Sequence, residues 1–307
     1  MECRALPVSV FLVALGAFQW GLSGGLASIL MGDGWSPQVI TVWRVSIGLL
    51  CMATWLGWRW YKGYRQEFNR RLVGWSALAG FGVAGNLVYY FVSISAGSVA
   101  VAITLMYTAP VMVYLVAFLT RTERPTWGSG LVILATLVGI TMMTGVYGNA
   151  PVRLTTLALT SGLLSGASYA LFIFAFKAAG RHGSTPAALT IAFVAAIVAL
   201  APLVDWREAA QVPGSGDWPL FIVFGLMGAG LSFFCYFWGL RGVLPSTAAV
   251  TAMVEPATAT LFGVLVLNQL LSPTETIGVL IILLAVTWLN IQRQLDARRA
   301  ASPPSTD

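Results

Sequence analysis

Two ionisable residues stand inside long apolar runs, Arg44 and Glu255. A buried arginine costs about 2.5–3.5 kcal/mol on membrane-insertion scales, so such a residue is kept for a partner or a function. An arginine in this setting suits a carboxylate, and a glutamate suits an amino group or a proton. The same positions also fit a structural pair, or an Arg44 that stretches to the headgroups from roughly 10 Å deep.

Around these charges lie polar and aromatic residues at helical spacing. Gln19, Trp20 and Ser23 share one run, and Ser168, Tyr169 and Phe172 share another. Gly82, Asn86, Tyr89 and Ser93 recur on one helical face, with Tyr90 beside them. Thr104, Tyr107, Val111 and Tyr114 form a similar face, and Tyr236 lies in a later run. Residues this polar avoid lipid, so they are expected to line an interior cavity or to pack helix on helix. Pro110 and Pro256 fall in mid-run, where proline withholds a backbone N–H and acts as a hinge or a kink.

The elements that must position these groups follow from composition. Of 307 residues, 58 % are hydrophobic and 9 % charged. A soluble domain carries about 25 % charge, so a soluble globule and a disordered chain are both excluded. The apolar residues must face lipid. Ten segments have the length of a bilayer-crossing helix: 7–31, 37–60, 72–95, 97–119, 125–147, 154–178, 184–204, 218–240, 244–267 and 273–293. The first is read as a retained span, because it is too long for a signal peptide. The expected fold is an all-α integral membrane protein with ten transmembrane helices.

Charge sets the orientation. With the N-terminus in the cytoplasm, all but Arg44, Arg153 and Arg207 of the 17 Lys and Arg residues fall inside. Both termini are then cytoplasmic in an inner, or plasma, membrane. The net charge of +6 reflects loops facing anionic lipid rather than a nucleic-acid partner. The polar segment 294–307 reads as a disordered cytoplasmic tail. Trp55, Trp58, Trp60, Trp206 and Trp218 read as interfacial belt residues.

The chain repeats itself. Gly34-Trp35-Ser36-Pro37 aligns on Gly183-Ser184-Thr185-Pro186, and Trp20 on Tyr169. Tyr90-Phe91 aligns on Tyr236-Phe237, and Pro110 on Pro256. Residues 1–150 and 151–293 each hold five spans. Five is odd, so the second repeat is expected to lie upside down, as in many secondary transporters with a midplane site. Gly21-xxx-Gly25 and Gly162-xxx-Gly166 are expected to allow close helix packing. Gly80-Phe81-Gly82-Val83-Ala84-Gly85 spells a dinucleotide fingerprint but follows no strand, so it is rejected.

Several of these pieces resemble a known family, the drug/metabolite transporter superfamily and in particular its ten-helix EamA-type exporters. They are Trp43-Arg44, Met106-Tyr107-Thr108-Ala109-Pro110, Thr122-Glu123-Arg124-Pro125-Thr126 and Val254-Glu255-Pro256. Asn268-Gln269-Leu270 departs from the acidic motif usual in the second half. The chain is most similar to aromatic amino-acid exporters. The resemblance implies export of small amphipathic metabolites, aromatic or other hydrophobic amino acids first, by alternating access. It implies no cofactor, a small-molecule substrate, a lipid bilayer as surroundings and a functional monomer.

Other classes fit less well. A multidrug or nucleoside exporter of the same superfamily is the alternative transport reading. A lipid-modifying membrane enzyme would need a nucleophile, base or metal cluster. The chain has one histidine, His182, three scattered cysteines, Cys3, Cys51 and Cys235, and no clustered carboxylates.

Overall fold

The structure is a computed structural model that describes residues 2–65, 67–97, 99–122, 127–143, 155–268, 270 and 272–301. Among them there are helices and turns but no strand. The helices are α1 (Glu2–Gly32), α2 (Pro37–Tyr61), α3 (Arg70–Ala96), α4 (Val99–Met106), α5 (Ala109–Leu119), α6 (Trp127–Met143) and α7 (Thr156–Ala179). They continue as α8 (Thr185–Leu200), α9 (Trp206–Ala209), α10 (Trp218–Gly225), α11 (Ser232–Gly242), α12 (Pro245–Thr251), α13 (Val254–Leu265) and α14 (Pro273–Ala301).

Eight helical stretches among the described residues are long and apolar enough to cross a bilayer. Two shorter apolar helices, Trp127–Met143 and Pro273–Leu289, stand where the fifth and tenth spans were expected. Arg153, the junction at 150/151, Glu123 to Thr126 and Gln269 lie outside the described residues.

Local chemistry sets the helix starts. Ser36 caps α2 by accepting from Val39 N, and Pro37 opens it. Asn69 caps α3 by accepting from Leu72 N at 2.7 Å. Thr155 caps α7 and also donates to Ala96 O at the end of α3. Ser272 and Glu275 form a reciprocal capping box at the start of α14.

Three expectations change. The spans at 97–119 and 244–267 are each two helices, broken at Tyr107-Thr108 and at Ala252-Met253. Pro110 and Pro256 follow these breaks closely, and neither has an N–H for the carbonyl four residues earlier. The chain tightens there to bonds three residues apart, Thr108 N to Leu105 O and Glu255 N to Ala252 O. The span at 218–240 is also irregular, because a π-helical segment, Leu226–Leu231, joins α10 to α11. Finally, α14 continues to Ala301, so the tail expected to be disordered from residue 294 is helical over its first part. Residues 302–307 lie outside the described residues.

Packing follows a pattern of pairs. α3 lies along α7 and α8, while α1 lies along α11 and α13. α2 packs on α8 and on the π segment, α4 on α7, and α6 on α14. The main core gathers Val13, Ala17, Leu72, Ile173, Phe176, Phe193 and Leu240. A second core joins Tyr107 to α6 and α14 through Ile133, Ile140 and Ile282. The expected glycine contacts are present: Gly21 and Gly25 meet α13 at Glu255 and Phe262, and Gly162 and Gly166 meet Leu105 and Met106.

Candidate functional site

Glu255 sits one residue into α13, on the turn made by the Ala252-Met253 break. The tightened backbone places its carboxyl in the interior, where α1 passes so closely at Gly21 that a Cβ there would overlap the Glu255 carbonyl oxygen. The Tyr107 hydroxyl, from the matching break between α4 and α5, hydrogen-bonds the carboxyl. The hydroxyls of Tyr90 on α3, Tyr169 on α7 and Tyr236 on α11 also lie within electrostatic reach of it. Oε2 of Glu255 makes no hydrogen bond among the described residues.

Arg44 reaches the same region from α2. It interacts electrostatically with Glu255, and its guanidinium lies 6.0 Å from the centre of the Phe224 ring. Its stem passes Gly228 of the π segment, where a Cβ would come within 3.1 Å of Arg44 Cδ and of Ser23. Arg44 and Glu255 are both partly buried. A cation and an anion from different helices therefore lie within electrostatic reach of each other inside the helix assembly. A zwitterion has the complementary charges.

Beside the charges the rings pack on one another. Trp20 lies 4.7 Å from Tyr236 and 4.9 Å from Phe233, and Tyr169 lies 4.6 Å from Phe172. Phe172 also contacts Trp20 at 6.3 Å edge-on. Gln19 extends this nest, donating from Nε2 to Leu15 O. The structure thus gathers Gln19, Trp20, Arg44, Tyr90, Tyr107, Tyr169, Phe172, Tyr236 and Glu255.

The remaining candidates divide. Asn86 donates to the backbone and hydroxyl oxygens of Ser165, and Ser165 donates back to Asn86 O. Ser93 donates to Ala158 O, and Gly82 rests on Phe172. Their face is a packing seam between α3 and α7 rather than a cavity wall. Ser168 joins it, against Gly85. Tyr89 borders the seam at Gly85 and is 38 % exposed. Tyr107 keeps its expected face-mates: Val111 and Tyr114 pack with it in the second core, against α6 and α14. Trp58, Trp60, Trp206 and Trp218 are exposed as belt residues should be, but Trp55 packs edge-on to Phe234 at 5.0 Å.

Sequence reasoning missed Phe233, whose own side chain has no polar atom to mark it. It also missed a clasp where the α8–α10 connection meets the α1–α2 corner. Trp35 Nε1 donates to Asp217 Oδ2 at 2.8 Å, Ser36 N to Glu208 Oε1 at 2.6 Å, and Trp43 Nε1 to Ala209 O at 3.0 Å. The isolated acids Glu208 and Asp217 gave no hint of these distant partners.

Eight helical stretches of this length and apolarity define a polytopic membrane protein. The chain matches the EamA-like transporter family twice, over residues 7–145 and 156–291, and it belongs to that family. It is therefore a multi-pass integral membrane transporter rather than an enzyme. It is 23 % identical to the uncharacterized transporter YwfM of Bacillus subtilis, over 89 % of this chain and 90 % of that one. It is 27 % identical to the uncharacterized transporter sll1319 of Synechocystis, over 77 % and 72 %. It is 26 % identical to the threonine/homoserine exporter RhtA of Escherichia coli K12, over 89 % and 87 %. One solved crystal structure shares the fold with a TM-score of 0.71 at 15 % identity, covering 89 % of this chain and 96 % of that one.

Proposed function

We propose that this protein exports small amino acids as zwitterions across the inner membrane, by alternating access of two inverted five-helix repeats with both termini in the cytoplasm. The observation that carries the substrate class is the pair of Arg44 and Glu255. Arg44 takes the carboxylate and Glu255, held by Tyr107, takes the ammonium group. The likeness to a protein named as a threonine/homoserine exporter supports the same class. Trp20, Phe172 and Tyr236 are engaged with each other, so the grip lies in the charges rather than in stacking on a substrate ring.

The two-fold repeat is supported by the packing. Exchanging the two halves turns the α3–α7 contact into the α10–α11 contact with α1, and the contacts of α4 and α5 with α7 into those of α12 and α13 with α1. It leaves α2–α8 and α6–α14 as pairs across the axis. A cavity between such halves opens to one side as they rock. Tyr107 and Glu255, on the two helix breaks, would move with that rocking.

The test is counterflow in proteoliposomes holding the purified protein, with labelled threonine, methionine, phenylalanine and tryptophan. The expected result is saturable uptake that unlabelled zwitterions block and that their amine analogues, lacking the carboxylate, do not. Uptake of none, or equal block by the amines, would remove the amino-acid reading.

A further inference from the structure

The aromatic nest holds polar atoms that its packing leaves unused. Trp20 Nε1, the Tyr169 and Tyr236 hydroxyls and Gln19 Oε1 make no hydrogen bond among the described residues and are shielded from solvent. Their side chains are 4, 4, 0 and 5 % exposed. A buried polar group without a partner is costly, and native interiors hold few. Here they gather in one place, from α1, α7 and α11, on rings that touch in series from Tyr169 through Phe172 and Trp20 to Tyr236.

Their chemistry is complementary, yet they do not pair with each other. The indole donates only, the phenols donate or accept, and Gln19 Oε1 accepts only. What suits such a mixed set is a small group that both accepts and donates. A hydroxyl does so, and a carboxamide does so. A methyl group does neither. The nest adjoins the charges, because the Tyr169 and Tyr236 hydroxyls lie within electrostatic reach of Glu255.

We infer that Gln19, Trp20, Tyr169 and Tyr236 form a side-chain subsite that selects amino acids bearing a neutral oxygen, hydroxyl or carboxamide, over hydrocarbon side chains of the same shape. This rests on Arg44 and Glu255 as the grip on the zwitterion. It assigns the two functions to different residues. The charges choose an amino acid, and the nest chooses which one. Opening of the nest admits the side chain, and the substrate oxygen then takes the hydrogen bonds that the closed packing leaves unmade.

Threonine and valine test this directly, since valine replaces the threonine hydroxyl by a methyl of similar size. Counterflow of each is measured with the full-length protein in proteoliposomes, beside the heat stabilisation of the purified protein by each. The wild type is expected to favour threonine by about tenfold or more in kcat/KM. Tyr169→Phe and Tyr236→Phe delete only the hydroxyl and should bring the ratio toward one, through the threonine KM. Size-exclusion profile and Tm establish that each variant is folded. If both fail to fold, the wild-type preference in stabilisation decides alone.

Equal handling of threonine and valine by the wild type overturns the subsite and leaves the amino-acid reading standing. A preference that both folded variants keep overturns it as well. If neither amino acid is carried and neither stabilises, the amino-acid reading falls, and the subsite with it.

Discussion

Tyr90-Phe91 on α3 and Tyr236-Phe237 on α11 occupy matching places in the two family segments, but their helices differ. α3 is continuous over 27 residues, whereas α11 is reached through the π-helical Leu226–Leu231. The charges differ more sharply. In the register that sets Ser36-Pro37 on Thr185-Pro186, Arg44 falls on Phe193. In the register that sets Pro110 on Pro256, Glu255 falls on Ala109. Phe193 and Ala109 are both buried and apolar. The helix breaks, the prolines and the aromatic rings are shared by the halves, while each charge belongs to one. Shared parts suit a scaffold that must look alike from both sides of the membrane. Unshared charges suit a substrate whose two ends are unlike.

The largest expected effect comes from removing that asymmetry. Arg44→Ala and Glu255→Gln should each lower kcat/KM for a zwitterion by about 100-fold, the scale of truncating one partner of a buried charged contact. Arg44→Ala should spare amines that lack the carboxylate. Counterflow with an amino acid and its amine, side by side, measures this. Equal loss for both would return Arg44 to a structural role.

The matched glycines Gly82 and Gly228 sharpen the contrast. A Cβ at Gly82 would meet Phe172 Cβ and its backbone N at 3.0 Å, contacts with no flexible member. Gly82→Ala should therefore lower stability by about 1–3 kcal/mol, seen as a fall in Tm. A Cβ at Gly228 would press on Arg44 Cδ, part of a flexible stem, and on Ser23 Cβ and Oγ, each at 3.1 Å. Gly228→Ala should keep the fold but displace the guanidinium, raising KM about tenfold. A Gly228→Ala protein with unchanged KM would show that the π segment does not set the position of Arg44.

The prolines probe what the halves share. Pro110→Ala and Pro256→Ala each restore an N–H and let the broken span close into one helix. Turnover should fall several-fold in both, with KM changed less, because the breaks carry Tyr107 and Glu255 through the transport motion. Stopped counterflow at saturating substrate reads the turnover. A loss confined to one variant would mean that the breaks are alike in shape and unlike in use.

Much of this was legible in the sequence because the bilayer simplifies the reading. Length and polarity located the apolar spans, and the second was placed at Pro37, where α2 starts. Trp20, Tyr169, Tyr107, Tyr236 and Glu255 stood out as polar groups that lipid cannot host. Pro110 and Pro256 marked a hinge or kink in each span, but the positions of the breaks at Tyr107-Thr108 and Ala252-Met253 did not show, since a twenty-residue hydropathy window averages over them. Nor did the π segment, whose Leu-Met-Gly-Ala-Gly-Leu composition suits an α-helix equally well. Helical spacing found the face of Asn86 and Ser93 but not what that face meets. Only the position of α7 shows that Ser165 and Ala158 consume their hydrogen bonds.

The smallest expected effect lies at the edge of the molecule, where the halves again differ. The α8–α10 connection of the second half clasps the first half through Trp35 and Asp217, at 2.8 Å, and through Ser36 N and Glu208. At the other end the α2–α3 connection of the first half meets the α7–α8 corner, where Asn69 Nδ2 donates to His182 O at 3.4 Å. The Trp35–Asp217 clasp must open when its own end of the cavity opens. Asp217→Ala removes one partly buried hydrogen bond, about 0.5–1.5 kcal/mol, and should lower Tm by a few degrees. If the clasp also holds that end shut, the same variant should raise the rate at which a thiol reagent labels a cysteine placed beside Arg44 from the clasped side. Faster labelling with transport intact would give the clasp a gating role, whereas a lower Tm with unchanged labelling would leave it as a fastening between the halves.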